Sequence, residues 1–360
     1  MQWTDLLGHH QQREWFRTAI ASSRLATSFL FVGPDGIGKR TFARLLAKSL
    51  LCQRTGHPQT GQQQLGRESL EFCGACEDCA QVDASTHPDL IEIFKPADKA
   101  FIPIELLIGE RDKRMREGLC HDISLRPYSG RRKVAILDDA DYLNVEGANS
   151  LLKTLEEPPP DSVLILIGSN LQRQLPTIRS RCQAIIFRPL TLEQLQTLIE
   201  RNAIAETPDR AREIAGLCSG SLTEAKLLAD PELGEFRMAM FEMLAAEKLN
   251  FTELSKSCGS VIDAVGKDGR AKRERAKLLL RGCASFYRSV SLRLTGDEDR
   301  SDAGLATAVD RAMPSWSTGV HGAVQCWQRC LLATEHVDRN ANQASWLEDW
   351  ATSLAQLSGK

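Results

Sequence analysis

The chain has 360 residues, 42% of them hydrophobic and 26% charged, with 45 basic against 47 acidic residues for a formal net charge of −2. This length predicts two or three domains, and the near balance of charge argues against a chain that binds nucleic acid over its whole surface. The apolar runs are far shorter than the roughly 18 residues of a membrane span, and no basic cluster with an apolar stretch opens the chain, so we expect a cytoplasmic protein without membrane contact.

The first half of the chain alternates short apolar runs with segments of helical length. The runs lack polar alternation, which is typical of strands buried on both faces, and strands separated by helices favour a parallel sheet. The predicted strands are residues 29–32, 90–93, 134–137, 163–167 and 184–187. Helices are predicted at residues 41–51, 103–118 and 143–157, the last ended by three prolines. We therefore predict an α/β domain over residues 1–188.

The first predicted strand leads directly into a glycine-rich loop and then into a helix. The loop reads GPDGIGKR over residues 33–40. Gly33, Gly36 and Gly38 let backbone N–H groups surround phosphate oxygens, and Lys39 would reach the terminal phosphates. The spacing and the strand, loop and helix context favour a nucleotide loop over a chance glycine-rich turn.

Position 40 departs from the usual pattern of such loops. Arg40 replaces the Ser or Thr whose hydroxyl holds Mg²⁺, and Thr41 cannot simply substitute because it lies about 100° further round the helix. After the third strand, Asp138 is placed to hold the water shell of the cation, and Asp139 stands where a water-activating glutamate is usual. The alternative is a pair of solvated acids. The sequence thus predicts a degenerate site for ATP and Mg²⁺, with hydrolysis weak or absent.

Four of the eleven cysteines have the spacing of a metal site. Cys52 ends the helix after the loop, and Cys73, Cys76 and Cys79 follow in overlapping Cys-x2-Cys pairs. Four thiolates close a tetrahedral Zn²⁺ shell, whereas disulfides are rare in reducing cytosol. We predict a structural zinc module over residues 52–89; the alternatives are buried reduced cysteines or a redox pair.

The pattern changes to helices after Pro189. Thr191 with Gln194 and Thr207 before Pro208 are helix starts, so residues 189–230 predict a three-helix lid. Residues 231–360 predict an all-helical domain. Its apolar stripe at positions 276, 279, 283, 286 and 290 is either core or interface. The nine basic residues between 267 and 293 either contact DNA or form a solvated face, and the same two interpretations apply to Arg131, Arg132 and Lys133.

Several segments together resemble the clamp-loader branch of the AAA+ ATPases, the loader subunits of bacterial DNA polymerase III. They are residues 31–41, 126–133 (RPYSGRRK), 149–159 (NSLLKTLEEPP) and 180–182 (Ser-Arg-Cys), with a faint match at 340–343. The resemblance covers residues 1 to about 230. It implies the same four cysteine ligands for zinc, and His87 of a matching His-Pro-Asp is not required as a ligand.

The resemblance also assigns roles around an ATP site. In this family the arginine of the Ser-Arg-Cys motif reaches ATP held by the neighbouring subunit, which corresponds to Arg181, with Arg179 as a nearby alternative. The first sensor position falls on Ser169 or Asn170, and the usual sensor arginine of the lid is replaced by Thr223.

The resemblance therefore implies a stator that supplies an arginine finger in trans and is itself a weak or inactive ATPase, not a polymerase. Its partners would be loader subunits of the gamma/tau and delta types in a hetero-oligomeric ring, the sliding clamp, and primed DNA through the complex, with residues 231–360 as the collar. Two alternatives remain: an ATP-hydrolysing motor of the gamma/tau type, and a zinc-bearing DNA-binding module that inherited the fold.

Overall fold

The computed structural model describes residues 1–54, 69–96, 99–129, 131–266, 268–297, 302–339 and 341–359. Several features of the sequence predictions lie outside the described residues. These are residues 55–68 of the predicted zinc module, Gly130 of segment 126–133, Lys267 of the basic segment and Asn340 of the faint terminal match.

Five parallel strands form one sheet in the order β2-β3-β4-β1-β5. They are β1 (Ser28–Val32), β2 (Leu90–Ile93), β3 (Lys133–Leu137), β4 (Ser162–Gly168) and β5 (Gln183–Ile186). Leu30 of β1 pairs with Leu166 of β4 on one side and with Ala184 of β5 on the other. The predicted strands and the α/β fold class with a parallel sheet are confirmed.

Burial differs between the central and the edge strands of this sheet. β1, β3 and β4 are buried at every position, as predicted. β2 is only partly buried throughout, and β5 buries Ile185 alone. The prediction of burial on both faces holds only in part for residues 90–93, where Leu90 packs against one core and Ile91 and Ile93 against the other. It is wrong for residues 184–187, where Ala184 and Ile186 are exposed on an edge strand.

Helices make up most of the remaining described chain. They are α1 (His10–Ala21), α2 (Lys39–Leu51), α3 (Glu77–Asp83), α4 (Glu105–Ile108), α5 (Leu119–Ser124), α6 (Val145–Glu156), α7 (Pro176–Arg179), α8 (Leu192–Arg201), α9 (Pro208–Leu217), α10 (Leu222–Leu228), α11 (Pro231–Ala245), α12 (Phe251–Asp263), α13 (Gly269–Thr295), α14 (Ala303–Ala312), α15 (Gly319–Asp338) and α16 (Gln343–Ser358). Thr191 and Gln194 form the predicted capping box of α8. Within the described ranges, none of these helices combines the length and apolarity that a membrane span requires.

The single helix predicted over residues 103–118 is wrong. Only the short α4 and a 3-10 turn at Arg111–Lys113 are helical there. The chain turns at Gly109 (φ 82°) and Gly118 (φ 89°), in conformations that favour glycine and interrupt a helix. A Cβ on Gly118 would lie 2.7 Å from the Gly109 nitrogen, so the two glycines allow their backbones to approach closely.

Alternate residues of β1 belong to two apolar cores, one on each face of the sheet. Phe29 and Phe31 pack with Phe16 of α1 and Phe42 of α2, with ring centroids 5.1 Å apart for Phe16 and Phe29 and 5.8 Å for Phe31 and Phe42. Leu30, between them in sequence, lies in the opposite core. This double burial fixes β1 in the sheet and with it the loop that follows.

The described chain forms two compact units, Met1–Thr223 and Glu224–Lys360. The second unit is all helical, as the sequence predicts for the C-terminal part. The stripe at positions 276, 279, 283, 286 and 290 belongs to the apolar core of this unit, where none of its residues is more than 4% exposed. Of the two interpretations of the stripe, the structure supports core.

Candidate functional site

The glycine-rich loop joins the carboxyl end of β1 to the first turn of α2. Gly36 (φ 74°) and Gly38 (φ 101°) adopt the left-handed conformation that favours glycine. A Cβ on Gly36 would lie 2.2 Å from Ser221 Oγ and 2.8 Å from Thr223 Cβ, and the Leu222 N–H donates to the Gly36 carbonyl over 2.9 Å. Ser221 and the first turn of α10 therefore lie directly against the loop, and they include Thr223, the predicted sensor position of the lid.

Lys39 points into the loop, where backbone carbonyls hold its ammonium group. Its Nζ donates to the Gly33 carbonyl at 2.5 Å and the Pro34 carbonyl at 2.6 Å, and it lies 3.7 Å from Asp35 Oδ1. The side chain is 6% exposed. Burial lowers the pKa of Lys39, although nearby carboxylates, Asp35 first among them, oppose this. A bound phosphate would have to take over hydrogen bonds that the loop now satisfies internally.

Arg40 lies between carboxylates of two neighbouring strands. Its NH1 is 3.9 Å from Asp138 Oδ2 and its NH2 is 3.9 Å from Glu92 Oε1, and its guanidinium carbon is 5.4 Å from the centroid of the Phe94 ring. Arg44, one turn further along α2, donates from NH1 to both Glu92 oxygens at 2.9 and 3.1 Å. Arg40, Arg44, Glu92 and Asp138 form a charge-balanced group, called here the Arg40 cluster.

Arg40 itself cannot be a magnesium ligand. Mg²⁺ takes oxygen ligands at about 2.0–2.1 Å in near-octahedral geometry, whereas a guanidinium offers only donors. Thr41 follows on α2 and is half-buried, turned about 100° from Arg40 by the helix. Glu92 is not among the predicted site residues, although an acid within the apolar strand 90–93 is the signal that points to it.

The other predicted nucleotide residues lie at the ends of β3 and β4. Asp138 Oδ1 accepts a hydrogen bond from the Asp139 N–H at 3.0 Å, and Asp139 has a left-handed φ of 59°. Asn170 is exposed, and its Oδ1 accepts from the Gln172 N–H at 2.8 Å, which caps a turn. The side-chain oxygen of Asn170 is thus engaged with its own backbone segment.

Asp141 is a half-buried carboxylate that is not among the predicted site residues. It accepts hydrogen bonds from the Ser169 N–H at 2.7 Å and from the Gln174 side-chain amide. Burial raises the pKa of Asp141, although the Ser169 contacts oppose the change. Asp141 ties the segment after β3 to the end of β4, beside the predicted sensor position.

Arg181 and the phosphate loop lie at opposite ends of the sheet. β5 and β1 are parallel and Gln183 pairs with Phe29, so the length of β5, about 13 Å at ~3.3 Å per residue, separates Arg181 from the loop end. The Arg181 side chain is 32% exposed, and its Nε donates to Glu156 Oε1 at 2.8 Å. Arg179, the alternative finger, is exposed on α7. The structure therefore does not bring Arg181 to its own nucleotide loop.

The four predicted metal ligands come together in one cluster. The Sγ atoms of Cys52, Cys73, Cys76 and Cys79 all lie within 4.8 Å of one another, with 3.6 Å from Cys52 to Cys73 and 3.7 Å from Cys52 to Cys76. A tetrahedron with a metal about 2.3 Å from each sulfur has edges of about 3.8 Å. Hydrogen bonds, led by that of the Cys79 thiol, lower the pKa of Cys52 to about 5. In size and donor set, this cysteine cluster fits a metal ion.

A chain of hydrogen bonds links the cysteine cluster to segment 126–133. Asp78 Oδ1 lies 3.4 Å from His87 Nε2, and His87 Nδ1 accepts from the Asp89 N–H at 3.0 Å, so Nε2 carries the proton. Asp89 in turn accepts from the backbone N–H groups of Tyr128 at 2.7 Å and Ser129 at 2.8 Å. In the sequence, the cysteine cluster, the His-Pro-Asp segment and segment 126–133 are three separate features. In the structure, hydrogen bonds connect them.

The basic segments are largely engaged in ion pairs within their own units. In residues 267–293, five cations pair with acids of the second unit: Lys272 with Asp263, Arg275 with Asp230, Lys277 with Asp338, Arg281 with Glu224 and Arg293 with Asp310. In segment 126–133, Arg131 donates to the Cys52 carbonyl and Lys133 lies buried 3.9 Å from Asp89. These partners favour a structural role over DNA binding.

Comparison with known proteins finds similarity to one protein family and to several relatives. Residues 8–191 match the family described as DNA polymerase III, delta subunit. The DNA polymerase III delta' subunit of Pseudomonas aeruginosa is 34% identical over 70% of this chain and 71% of that protein. The delta' subunit of Bacillus subtilis is 31% identical over 64% and 63%, and the gamma/tau subunit of Mycoplasma genitalium is 28% identical over 70% and 37%, so the chain spans less than two thirds of these two relatives. A solved gamma subunit-related protein of Thermotoga maritima aligns over 96% of this chain and 99% of its own, with 16% identity and a TM-score of 0.40.

Proposed function

Because the chain belongs to the DNA polymerase III delta subunit family, we propose that it is a delta-prime-type stator of a bacterial clamp loader. In this role Arg181 completes the ATP site of an adjacent motor subunit of the gamma/tau type. The observation that carries the proposal is the position of Arg181 at the far end of β5 from its own loop, with its guanidinium partly exposed. An arginine at this position is available to a phosphate held by another chain. Its guanidinium stays charged and binds two phosphate oxygens at once.

The chain's own loop supports a passive role in ATP turnover. Arg40 stands in the place of the magnesium-binding hydroxyl, Asp139 is shorter than the usual glutamate, and Thr223 lies where the lid arginine is expected. Lys39 is held by carbonyls of the loop itself. We therefore expect hydrolysis at this loop to be weak or absent, and turnover in the ring to depend on its neighbours.

We propose that Cys52, Cys73, Cys76 and Cys79 hold a structural Zn²⁺. Their sulfur separations support this assignment. Zinc binding would supply folding free energy to the described residues around the cluster.

The proposed organisation has three parts: a nucleotide-binding-like domain at residues 1–188, a lid at 189–230 and a collar at 231–360 through which the subunit joins the ring. The partners are subunits of the gamma/tau and delta types, the sliding clamp, and primed DNA through the complex, all in the cytoplasm. The family membership supports these assignments.

A second candidate is an ATP-hydrolysing motor of the gamma/tau type. The left-handed glycines of the loop and the buried Lys39 favour it, as does the 28% identity to a gamma/tau subunit. The Arg40 cluster argues against it, because it leaves no oxygen donor at position 40 for a cation.

The test combines ring assembly with hydrolysis. This chain is mixed with gamma/tau-type and delta-type subunits, and complex formation and DNA-stimulated ATPase are measured with and without it. A stator is required for both, while the isolated chain with Mg²⁺ and ATP turns over little. Brisk turnover of the isolated chain that is lost in Lys39→Ala would establish the motor instead.

A further inference from the structure

The strongest feature that the proposed stator role does not use is the Arg40 cluster. Arg40 lies in the first turn of α2, and its partly exposed guanidinium is 3.9 Å from Asp138 at the end of β3, 3.9 Å from Glu92 on β2 and next to the ring of Phe94. Glu92 and Asp138 are only 11% and 12% exposed. Carboxylates this buried need a compensating charge, which Arg40 and Arg44 supply together with Lys39, whose charge interacts with Asp138.

We propose that the Arg40 guanidinium takes the place of the divalent cation, so that the loop binds a nucleoside diphosphate or triphosphate without metal. This inference rests on the proposed nucleotide loop. Two guanidinium groups and two carboxylates already balance in the Arg40 cluster, and a divalent cation at Asp138 would add two positive charges beside Arg40. Guanidinium groups also bind phosphate oxygens in a bidentate fork, so the same side chain that keeps the cation out supplies a charge to the anion.

The arrangement makes a specific prediction for metal dependence. A loop with a hydroxyl at position 40 binds the nucleotide together with Mg²⁺, and removing the metal weakens binding. In a loop with Arg40 the positive charge is part of the side chain, so removing the metal leaves the affinity for the nucleotide nearly unchanged. The substitution Arg40→Thr should make nucleotide binding depend on Mg²⁺, because it restores an oxygen ligand at position 40 and removes the guanidinium beside Asp138.

The experiment measures ADP binding to the full chain by calorimetry, in EDTA and in Mg²⁺. For the unaltered chain we expect dissociation constants within about threefold of each other, and for Arg40→Thr at least about tenfold tighter binding with Mg²⁺ than in EDTA. Arg40→Lys keeps the charge and should remain independent of metal. Arg17→Thr removes an exposed arginine that pairs with Glu14 on α1, and it serves as the matched control.

A second readout follows the metal directly. With ADP and Mn²⁺, the electron paramagnetic resonance spectrum should show protein-bound Mn²⁺ for Arg40→Thr and only unbound or ADP-bound Mn²⁺ for the unaltered chain. Tenfold tighter binding of ADP by the unaltered chain on adding Mg²⁺, or no binding in EDTA, would overturn the inference. Since ring assembly and the effect of Arg181 are measured separately, such a result leaves the stator proposal standing, and loss of the Arg181 effect leaves this inference standing.

Discussion

Arg181 and Glu156 form an ion pair on the surface of the first unit, with the Arg181 NH2 2.5 Å and the Nε 2.8 Å from Glu156 Oε1. The pair joins two of the segments that carry the family resemblance, 149–159 and 180–182. Both side chains are partly exposed, and exposed pairs of this kind contribute at most about 1 kcal/mol. Glu156 therefore holds Arg181 in place without preventing a triphosphate of higher charge from taking it over.

Removing the guanidinium of Arg181 should abolish hydrolysis at the ATP site that it completes. An arginine finger is worth about 10³–10⁵ in turnover at its site, so we expect the ring containing Arg181→Ala to lose the turnover of one motor. Arg181→Lys should fail as well, because an ammonium cannot make the bidentate contact. The measurement is DNA-stimulated ATPase of the purified ring, with gel filtration to establish that assembly is unchanged.

Two neighbouring variants separate the roles around this arginine. Arg179→Ala should leave the ATPase of the ring intact, and an effect confined to this variant would assign the finger to Arg179 instead. Glu156→Gln removes the surface partner, and we expect full ATPase and a change in unfolding free energy below about 1 kcal/mol. If Glu156→Gln lost as much ATPase turnover as Arg181→Ala, Glu156 would do more than hold the Arg181 side chain in place.

The cysteine cluster should bind one zinc ion per chain, and its loss should destabilise the first unit. We expect Cys76→Ser and Cys79→Ser to lose the metal and to melt several degrees lower, because structural zinc sites contribute folding free energy directly. Zinc is measured by atomic emission, and melting by circular dichroism. Cys218→Ser, outside the cluster, is the control and should keep its zinc; a metal-free unaltered chain with unchanged melting would argue for buried reduced cysteines.

Asp89 makes the stability of the first unit depend on pH in the acid range. Burial raises the pKa of Asp89, but the N–H groups of Ser129 and Tyr128 and the charge of Lys133 outweigh it, and the pKa is lowered overall. The ionised group therefore stabilises the fold above the unfolded pKa of about 4, and this contribution is lost as the pH falls through the lower folded value.

Asp89→Asn should accordingly cost about 1–3 kcal/mol at pH 7, and the difference from the unaltered chain should shrink at pH 3. Urea unfolding at both pH values measures it. Asp112→Asn changes an exposed aspartate of the same unit and should alter the unfolding free energy little at either pH. A penalty for Asp89→Asn that stays constant from pH 7 to pH 3 would contradict the ionised Asp89.

Phe286 should be indispensable to the core of the second unit. Its side chain is fully buried, with its ring centroid 6.2 Å from that of Phe241 and 5.4 Å from that of Tyr287. We expect Phe286→Ala to lower the free energy of unfolding by about 3–5 kcal/mol, since it leaves a cavity. Leu331→Ala, at a position 49% exposed, should change it far less, and equal effects would contradict a core role for Phe286.

Local sequence patterns predicted the secondary structure well where interactions between residues close in sequence determine it. The start of α8 was predictable because Thr191 and Gln194 satisfy each other's backbone groups within one turn. The helix over residues 103–118 was not, because Gly109 and Gly118 approach each other across a loop, and this approach decides where the helix ends. Burial of the edge strands depended in the same way on the order of strands in the sheet.

The sequence by itself determined the five strands, the glycine-rich loop and the four metal-ligand candidates, because apolar runs, positive-φ glycines and close cysteine spacing act over a few residues. Only the tertiary structure decided that Arg40 meets Glu92 and Asp138, and that Arg181 lies far from its own loop. The physical reason is the packing of the parallel sheet. The strand order brings chain segments that are dozens of residues apart next to each other, and the common strand direction decides which end of the sheet each segment reaches. Charges and distances at the site follow from that packing.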